Sequence, residues 1–223
     1  LKERCISRDL KWGVHIPLEG YEDKVFYVWF DAPIGYISIT KSAREDWSEW
    51  WHDSNIPLYQ FMAKDNVPFH SIIFPATLKS TRDPWNTLHH LASTEYLNYE
   101  NGKFSKSRNQ GVFGTDAKES GIPADVWRYY LLINRPENAD TQFTWKDFQE
   151  KNNNELLANL GNFVNRALTF ANNNFEGKIP KIELSESDKE FVFEINSSLK
   201  ELKRLFDSVK LKDSLKTIMH ISR

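Results

Sequence analysis

The sequence predicts a doubly wound α/β layer followed by an α-helical bundle. In the first half, strand-like stretches alternate with helix-like stretches, which is typical of a sheet covered by helices on both faces. The stretch KVFYVWFDAP at 24–33 is apolar on both alternating faces, which favours a strand buried within a parallel sheet. After about Asp116, apolar residues recur at helical spacing over long stretches, which indicates the bundle.

The first half contains further predicted elements after this strand. Each is read from its apolar spacing and from the turn residues that flank it. In chain order they are a helix at AREDWSEWWHD, a buried strand at PLYQFMAKD, a short strand or helix start at SIIFPAT, a helix at NTLHHLAS, and a strand at EYLNYENGKF that runs into an Asn-Gly turn.

The second half is predicted to be helical. A helix over GIPADVWRYYLLINRP has Pro123 near its first turn. A long helical stretch then carries apolar residues at Leu156, Leu160, Phe163, Val164, Ala167 and Phe170. After the loop EGKIPKIEL, a capping box from Ser187 to Glu190 predicts the start of a helix with one apolar stripe, continued through Leu205 or Phe206. DSLKTIMHIS begins a third helix.

Composition excludes several classes of protein. Of the 223 residues, 40% are hydrophobic, which excludes global disorder, and a net charge of -2 gives no overall basic field for nucleic acid. The single cysteine, Cys5, forms neither an internal disulfide nor a zinc site alone, which favours a reducing compartment. No apolar run approaches the ~20 residues of a membrane span. Because the chain opens on Leu1 and stops inside a helical pattern, we expect a segment of a longer polypeptide.

The loop GKFSKSRNQG at 102–111 is the first candidate site. It places Lys103 and Lys106 three residues apart, with Ser105 and Ser107 interleaved, between two glycines. Glycine and serine favour turns over helices and strands. The residues alone leave two readings open, a solvated surface turn or a cationic clamp for a polyphosphate.

Several motifs together resemble one family. KFSKS at 103–107 resembles the KMSKS signature of class I aminoacyl-tRNA synthetases, with Phe104 in place of methionine. Three other stretches resemble the methionyl-tRNA synthetases within that class, in the style of the eukaryotic cytosolic branch: YVWFDAPIGY at 27–36, AKDNVPFHS at 63–71 and NNELLANLGNFVNR at 153–166. The resemblance covers essentially the whole chain. It implies the C-terminal half of a Rossmann catalytic core at 1–116, a connecting stem-contact region at 117–150 and a truncated helical anticodon-binding domain at 151–223.

The resemblance implies ligation of methionine to tRNA(Met), through attack of the methionine carboxylate on the α-phosphate of ATP supplied with Mg²⁺. In this reading Lys103 and Lys106 are catalytic and neutralise the departing pyrophosphate, and Ser105 belongs to the same ATP site. Asp65 would accept hydrogen bonds from the ribose, against the alternative of a helix N-cap. Arg108 either adds charge to this site or is only a surface residue.

The family pattern also places a methionine pocket. An aromatic slot suits methionine, because sulfur makes favourable contacts with rings. Periodicity alone favours ordinary core packing for Trp29 and Phe69, whereas the resemblance implies that they bind methionine. The implied methionine-binding residues are Trp29, Ala32, Pro33, Tyr36, Phe69 and His70. The role of Asp31, a cap or a site residue, is left open.

In the matching helix of the family, an asparagine and an arginine four residues apart read the anticodon loop, which implies Asn162 and Arg166 here. Spacing alone favours a solvated polar face. The side chains suit the task, because asparagine offers a paired donor and acceptor and arginine binds phosphate or stacks on a base.

One departure from the family is large. The HIGH-type motif that supplies the other half of the active site does not occur, and His89 and His90 in TLHHLAS lack its context. We therefore expect the segment alone to be inactive, with no zinc site inside it and a zinc knuckle upstream. The resemblance further implies a cytoplasmic location, no membrane partner, and assembly with other synthetases or accessory proteins through regions outside the segment.

Two other functions remain open. The first is a non-catalytic tRNA-binding or scaffold module with a synthetase-like body, for which the Lys103 and Lys106 pair would be unnecessary. The second is a synthetase of the leucine, isoleucine or valine group, which the aromatic pocket disfavours.

Overall fold

A computed structural model describes residues 3–223, which divide into two compact units. The first unit is Leu1–Thr94 and the second is Glu95–Arg223. The domain boundaries at 116 and 150 stay predictions, because compactness alone does not define the functional domains of a chain. Within the described residues, no helix is both long enough and apolar enough to span a bilayer.

The first unit contains short elements of both kinds. The antiparallel strands β1 and β2 pair with each other, and the parallel strands β3 and β4 form a second sheet. The elements are β1 (Ser7–Arg8), β2 (Val25–Phe26), α1 (Val28–Asp31), α2 (Ile34–Ala43), α3 (Trp47–His52), β3 (Leu58–Ala63), a 3₁₀ turn (Lys64–Asn66), a π-helix (Phe69–Ile73), α4 (Phe74–Ser80) and β4 (Leu88–Thr94).

Two sequence predictions in this unit are wrong. NTLHHLAS is strand β4, not a helix, and its pairing runs from Tyr59 opposite His90 to Ala63 opposite Thr94. A short apolar run is compatible with either a strand or a buried helix, so periodicity alone does not assign this stretch. Its backbone hydrogen bonds to β3 make it a strand. KVFYVWFDAP forms a strand only at Val25–Phe26, since the chain leaves the two-residue sheet and enters α1 at Val28.

The other predictions for the first unit hold. PLYQFMAKD contains β3, AREDWSEWWHD contains α3, and SIIFPAT continues from the π-helix into α4, so its helical alternative is correct. The core of this unit is a cluster of four buried side chains, Ile37, Trp51, Phe74 and Leu78. It holds α2, α3 and α4 together, and therefore positions the residues on α2 that face the candidate pocket.

The second unit is mostly helical. Strands β5 and β6 pair in parallel, with Tyr99 opposite Phe143. The elements are β5 (Leu97–Tyr99), α5 (Gly114–Glu119), α6 (Ala124–Ile133), β6 (Thr141–Phe143), α7 (Trp145–Lys151), a π-helix (Asn152–Gly161), α8 (Asn162–Phe175), α9 (Glu186–Asp207) and α10 (Leu211–Ile221). The helices predicted at GIPADVWRYYLLINRP and DSLKTIMHIS are therefore confirmed.

An aromatic cluster forms the core of the second unit. Trp127, Tyr130, Phe143 and Phe148 are buried against one another, and Phe104 from the KFSKS loop packs on them. The Tyr130 hydroxyl donates to a carboxylate oxygen of Asp147 at 2.7 Å, which ties α6 to α7. The loop is therefore attached to the core through one of its own side chains.

The long helical stretch is continuous from α7 through the π-helix to α8. It ends at Glu176, whose backbone is left-handed with φ 52°. The next helix, α9, has its N-cap at Ser185, two residues before the predicted capping box, so the box predicted from Ser187 to Glu190 is wrong. Its box is formed by Ser185 and Asp188, because the Ser185 hydroxyl accepts from the backbone N–H of Asp188 and the Asp188 carboxylate accepts from the backbone N–H of Ser185. Of the two alternatives for its apolar stripe, Leu205 is buried and Phe206 is exposed.

Candidate active-site elements

The KFSKS loop is a closed hairpin. Backbone bonds in both directions join Ser105 and Gln110, at 2.8 and 2.9 Å. Inside that pair, the Asn109 N–H donates to the Lys106 carbonyl at 3.2 Å, and Asn109 itself has φ 49°. Asparagine tolerates this left-handed conformation better than most residues. Lys106, Ser107, Arg108 and Asn109 therefore form the tip of a tight turn.

Phe104 fixes the base of this hairpin. Its ring lies 5.2 Å from the Tyr99 ring and packs on the aromatic core of the unit. Gly111 approaches the same ring so closely that a Cβ on it would lie 2.4 Å from Phe104 Cδ1, and its φ is 143°. The last residue of the loop must therefore be glycine for Phe104 to stay in the core.

The two lysines of the hairpin are exposed. Among the described residues, neither ammonium group of Lys103 and Lys106 has a hydrogen bond or an ion pair. The third cation, Arg108, donates from Nε to the Ser105 hydroxyl at 3.1 Å. Two unpaired ammonium groups beside a backbone turn are suited to binding an anion from solvent.

Trp29 and Phe69 are brought together in the first unit. Trp29 lies on α1 and Phe69 opens the π-helix, and their rings stack with centroids 5.1 Å apart. Helices of π type are frequent at functional sites. At this separation the rings contact each other, so a thioether would meet their edges or outer faces rather than enter between them.

Tyr36 and His70 form a second pair. The Tyr36 hydroxyl is 2.9 Å from His70 Nε2, and His70 Nδ1 is 2.8 Å from the Asn66 carbonyl oxygen. A carbonyl only accepts, so Nδ1 carries the proton and donates to Asn66, which leaves Nε2 to accept from Tyr36. The imidazole is 3% exposed, whereas Tyr36 reaches solvent and lines a cavity of about 430 Å³ beside β3.

The remaining candidates of the first unit lie near these pairs along the chain. Ala32 and Pro33 connect α1 to α2, with Ala32 exposed and Pro33 buried. Asp65 is exposed in the 3₁₀ turn that follows β3. Asp31, whose role the sequence left open, holds a buried Oδ1 with no hydrogen-bond partner among the described residues. This buried oxygen, on the same short helix as Trp29, makes Asp31 a stronger site candidate than the sequence indicates.

Asn162 and Arg166 lie one turn apart on α8. The Asn162 amide donates one hydrogen to the Ala158 carbonyl at 3.1 Å, which leaves its second hydrogen and its oxygen available. Arg166 is exposed and has no ion pair among residues 3–223. Both side chains can therefore engage a partner from solvent. Nowhere in the described part of the chain do three or more His, Cys, Asp or Glu residues form a group able to hold a metal ion.

Comparison with known proteins identifies the family. The family model described as tRNA synthetases class I (M) matches residues 1–168, three quarters of the chain. The chain belongs to this synthetase family.

Relatives within the family are close in sequence but much longer. The cytoplasmic methionine–tRNA ligase of Xenopus laevis is 55% identical over 100% of this chain, which covers 25% of that protein. The methionine–tRNA ligase of Treponema denticola is 56% identical over 96% of this chain, which covers 29% of that protein. The human cytoplasmic enzyme is 53% identical, with 100% and 25% covered. The chain thus spans about a quarter of the length of these relatives.

Solved structures show the same fold. A Mycobacterium tuberculosis methionyl-tRNA synthetase bound by methionyl-adenylate aligns with a TM-score of 0.79 at 22% identity, over 99% of this chain and 43% of that one. A second structure of that synthetase with methionyl-adenylate gives 0.80 at 23% identity, over 99% and 43%. The predicted fold class, part of a Rossmann-type class I core followed by a helical region, is confirmed.

Sequence reasoning missed several residues that hold these synthetase elements in place. Asn66 accepts from His70, and the signal for it is their spacing of four residues. Gln110 closes the hairpin through its backbone hydrogen bonds with Ser105, and no pattern in the sequence predicts that pairing. Each acts through its backbone, which explains why side-chain chemistry did not single it out.

Replacing Gly111 with alanine should loosen the KFSKS hairpin. The new Cβ overlaps the Phe104 ring at a φ that disfavours alanine, and overpacking of this kind costs ~1–3 kcal/mol. We expect amide hydrogen exchange at Ser105 and Gln110 in the full-length protein to become about five- to a hundred-fold faster. Gly114→Ala is the control, because a Cβ there meets nothing within 4 Å. Equal exchange in both variants would show that Phe104 does not anchor the hairpin.

Proposed function

We propose that this chain is part of an enzyme that activates methionine with ATP and transfers it to tRNA(Met). Membership of the class I family supports the chemistry, and the names of the relatives support the amino acid. The observation that carries the proposal is the pair of exposed lysines on the closed hairpin, Lys103 and Lys106, for which residues 3–223 supply no counter-ion. A scaffold module would have no use for this pair.

The lysines would act on the leaving group. Adenylation needs no protein nucleophile, because the methionine carboxylate itself attacks the α-phosphate and pyrophosphate departs. Charge grows on the pyrophosphate oxygens as the bond breaks, and ammonium groups already placed there stabilise the transition state more than the ground state. Ser105 orders the turn through its bond from Arg108, and Asp65 would bind the ribose hydroxyls of the ATP, supplied as its Mg²⁺ complex.

Lys106→Ala should lower the maximal rate of methionine-dependent pyrophosphate exchange in the full-length enzyme. The loss expected is ~2.7–4 kcal/mol of transition-state stabilisation, as for removal of one preorganised donor. The KM for methionine should stay nearly constant. Lys118→Ala, an exposed lysine on α5, is the matched control and should behave as wild type. An unchanged maximal rate in Lys106→Ala would remove the proposed role of the loop.

Methionine recognition would use the two aromatic pairs of the first unit. Stacked Trp29 and Phe69 offer ring surface to the thioether, beside Ala32 and Pro33, which leave room for the side chain. The Tyr36 hydroxyl donates its hydrogen to His70, so its oxygen would be the polar group that lies near the methionine sulfur. The buried oxygen of Asp31 suits the α-ammonium group, since a buried carboxylate needs a hydrogen-bonded or charged partner.

Tyr36→Phe should reduce discrimination between methionine and norleucine, which has a methylene in place of the sulfur. The variant deletes the hydroxyl and leaves His70 Nε2 without its partner, at a cost typical of one hydrogen bond, so we expect about a two- to ten-fold loss in the ratio of kcat/KM values. Tyr21→Phe is the control, because that exposed tyrosine lies outside the cavity that Tyr36 lines. Unchanged discrimination would assign Tyr36 to packing alone.

The tRNA would be read on α8. Asn162 keeps one amide hydrogen and its oxygen free for a base edge, and Arg166 is free to bind phosphate or stack on an unpaired base. A cytoplasmic location follows the names of the eukaryotic relatives and is part of the same proposal. So is assembly with other synthetases or accessory proteins through regions outside residues 1–223.

Asn162→Ala and Arg166→Ala in the full-length protein should each lower kcat/KM for tRNA charging by about ten-fold or more, as expected for loss of a base or phosphate contact. Pyrophosphate exchange without tRNA should remain at the wild-type rate. Asn165→Ala, at an exposed position between them on the same helix, should change neither activity. A parallel fall of both activities would mean that the residues support folding, and no fall would leave them as a solvated face.

A further inference from the structure

The second unit contains a cavity that is not part of any candidate site described above. It measures about 550 Å³ and lies between α6, the α7 helix with its π-helical continuation, and α10. This volume falls in the range of small-molecule pockets. Its lining combines one buried tyrosine with charged residues of both signs.

Tyr129 on α6 is the buried tyrosine. Its side chain is 7% exposed, and its hydroxyl has no hydrogen-bond partner among the described residues. Burial and, to a smaller extent, the carboxylate of Glu155 raise the pKa of this hydroxyl to about 12, against the opposing effect of Arg223. The group is therefore a neutral O–H donor at physiological pH. A buried donor without an acceptor is costly, so an acceptor that enters the cavity would be stabilised.

The carboxylates in the lining already have partners. Asp147 accepts from the Tyr130 hydroxyl at 2.7 Å. Glu155 accepts two hydrogen bonds from the Arg223 guanidinium, at 3.0 and 3.1 Å. Both carboxylates are therefore already hydrogen-bonded, and each attracts a further cation less strongly than an unpaired carboxylate would.

The lysines in the lining are less well balanced. Lys216 pairs with Asp213 at 3.0 Å. Lys151 and Lys212 are half-buried, and within residues 3–223 their ammonium groups have neither an ion pair nor a hydrogen bond. Partly desolvated ammonium groups gain most from an anion that also hydrogen-bonds to them.

We propose that this cavity binds a phosphate group through the Tyr129 hydroxyl and the ammonium groups of Lys151 and Lys212. A terminal phosphate offers three acceptor oxygens, one for each donor, whereas a carboxylate or the phosphodiester of an RNA backbone offers two. The ligand that satisfies all three donors is therefore a small molecule with a terminal phosphate. The proposal is independent of the KFSKS loop and of the anticodon residues.

The test is protection of lysines from acetylation in the full-length protein. An N-hydroxysuccinimide ester labels lysines, and mass spectrometry gives the rate at each position. Inorganic pyrophosphate, a tRNA(Met) transcript and acetate are the probes. We expect pyrophosphate to slow acetylation of Lys151 and Lys212 about ten-fold at saturation, and the transcript and acetate to protect them less. Lys146 is the control, because it lies exposed on the same helix, paired with Glu150 at 4.0 Å.

The variant Tyr129→Phe supplies a second measurement. It removes one oxygen and keeps the ring in the core, and we expect it to raise the probe concentration for half-protection about ten-fold, since a charge-assisted hydrogen bond is lost. Protection by pyrophosphate supports a small ligand with a terminal phosphate. The proposal is overturned if pyrophosphate does not protect, if acetate or the transcript protects as well as it does, if Lys146 is protected equally, or if Tyr129→Phe has no effect.

Discussion

The packing around Phe143 is the interaction on which the second unit depends. This side chain is 2% exposed, stacks between the rings of Tyr99 and Trp127, and meets the Tyr130 ring edge-on. It therefore joins β5, β6 and α6, three elements that are otherwise short. Burial of one such side chain contributes ~1.5–3 kcal/mol, and each aromatic pair adds to it. The KFSKS hairpin depends on the same cluster, because Phe104 packs against it.

The sequence predicts the elements whose signals are local. The helix at α6 has a proline near its first turn and a clear period, and β3 is bounded by a proline and by Lys64 and Asp65. Prediction from the sequence fails at β4 and at 24–33, where a short apolar run is compatible with either a strand or a helix. There the outcome is decided by partners distant in the chain, β3 for one and β1 for the other. A single sequence does not reveal which of its strands pair with each other in this way.

The candidate site shows the same division. Motif resemblance selects Tyr36 and His70, and the structure places them in hydrogen-bond contact. The spacing of 34 residues between them carries no such information. The sequence also does not distinguish Tyr129 from Tyr130. The Tyr130 hydroxyl is hydrogen-bonded to Asp147, whereas the Tyr129 hydroxyl is buried with no partner in the part of the chain that the structure describes. That difference arises from helix rotation within the packed unit, which only the fold determines.

The π-helix between α7 and α8 separates two helical phases. In an α-helix each residue turns the chain by about 100°, so every added or deleted residue rotates all that follows. The wider turns of Asn152–Gly161 change this count in the middle of one continuous helix. The direction in which Asn162 and Arg166 point, relative to the buried Phe148, therefore depends on the number of residues in the π-helix. A change in length confined to 152–161 would turn Asn162 and Arg166 about the helix axis while Phe148 kept its packing.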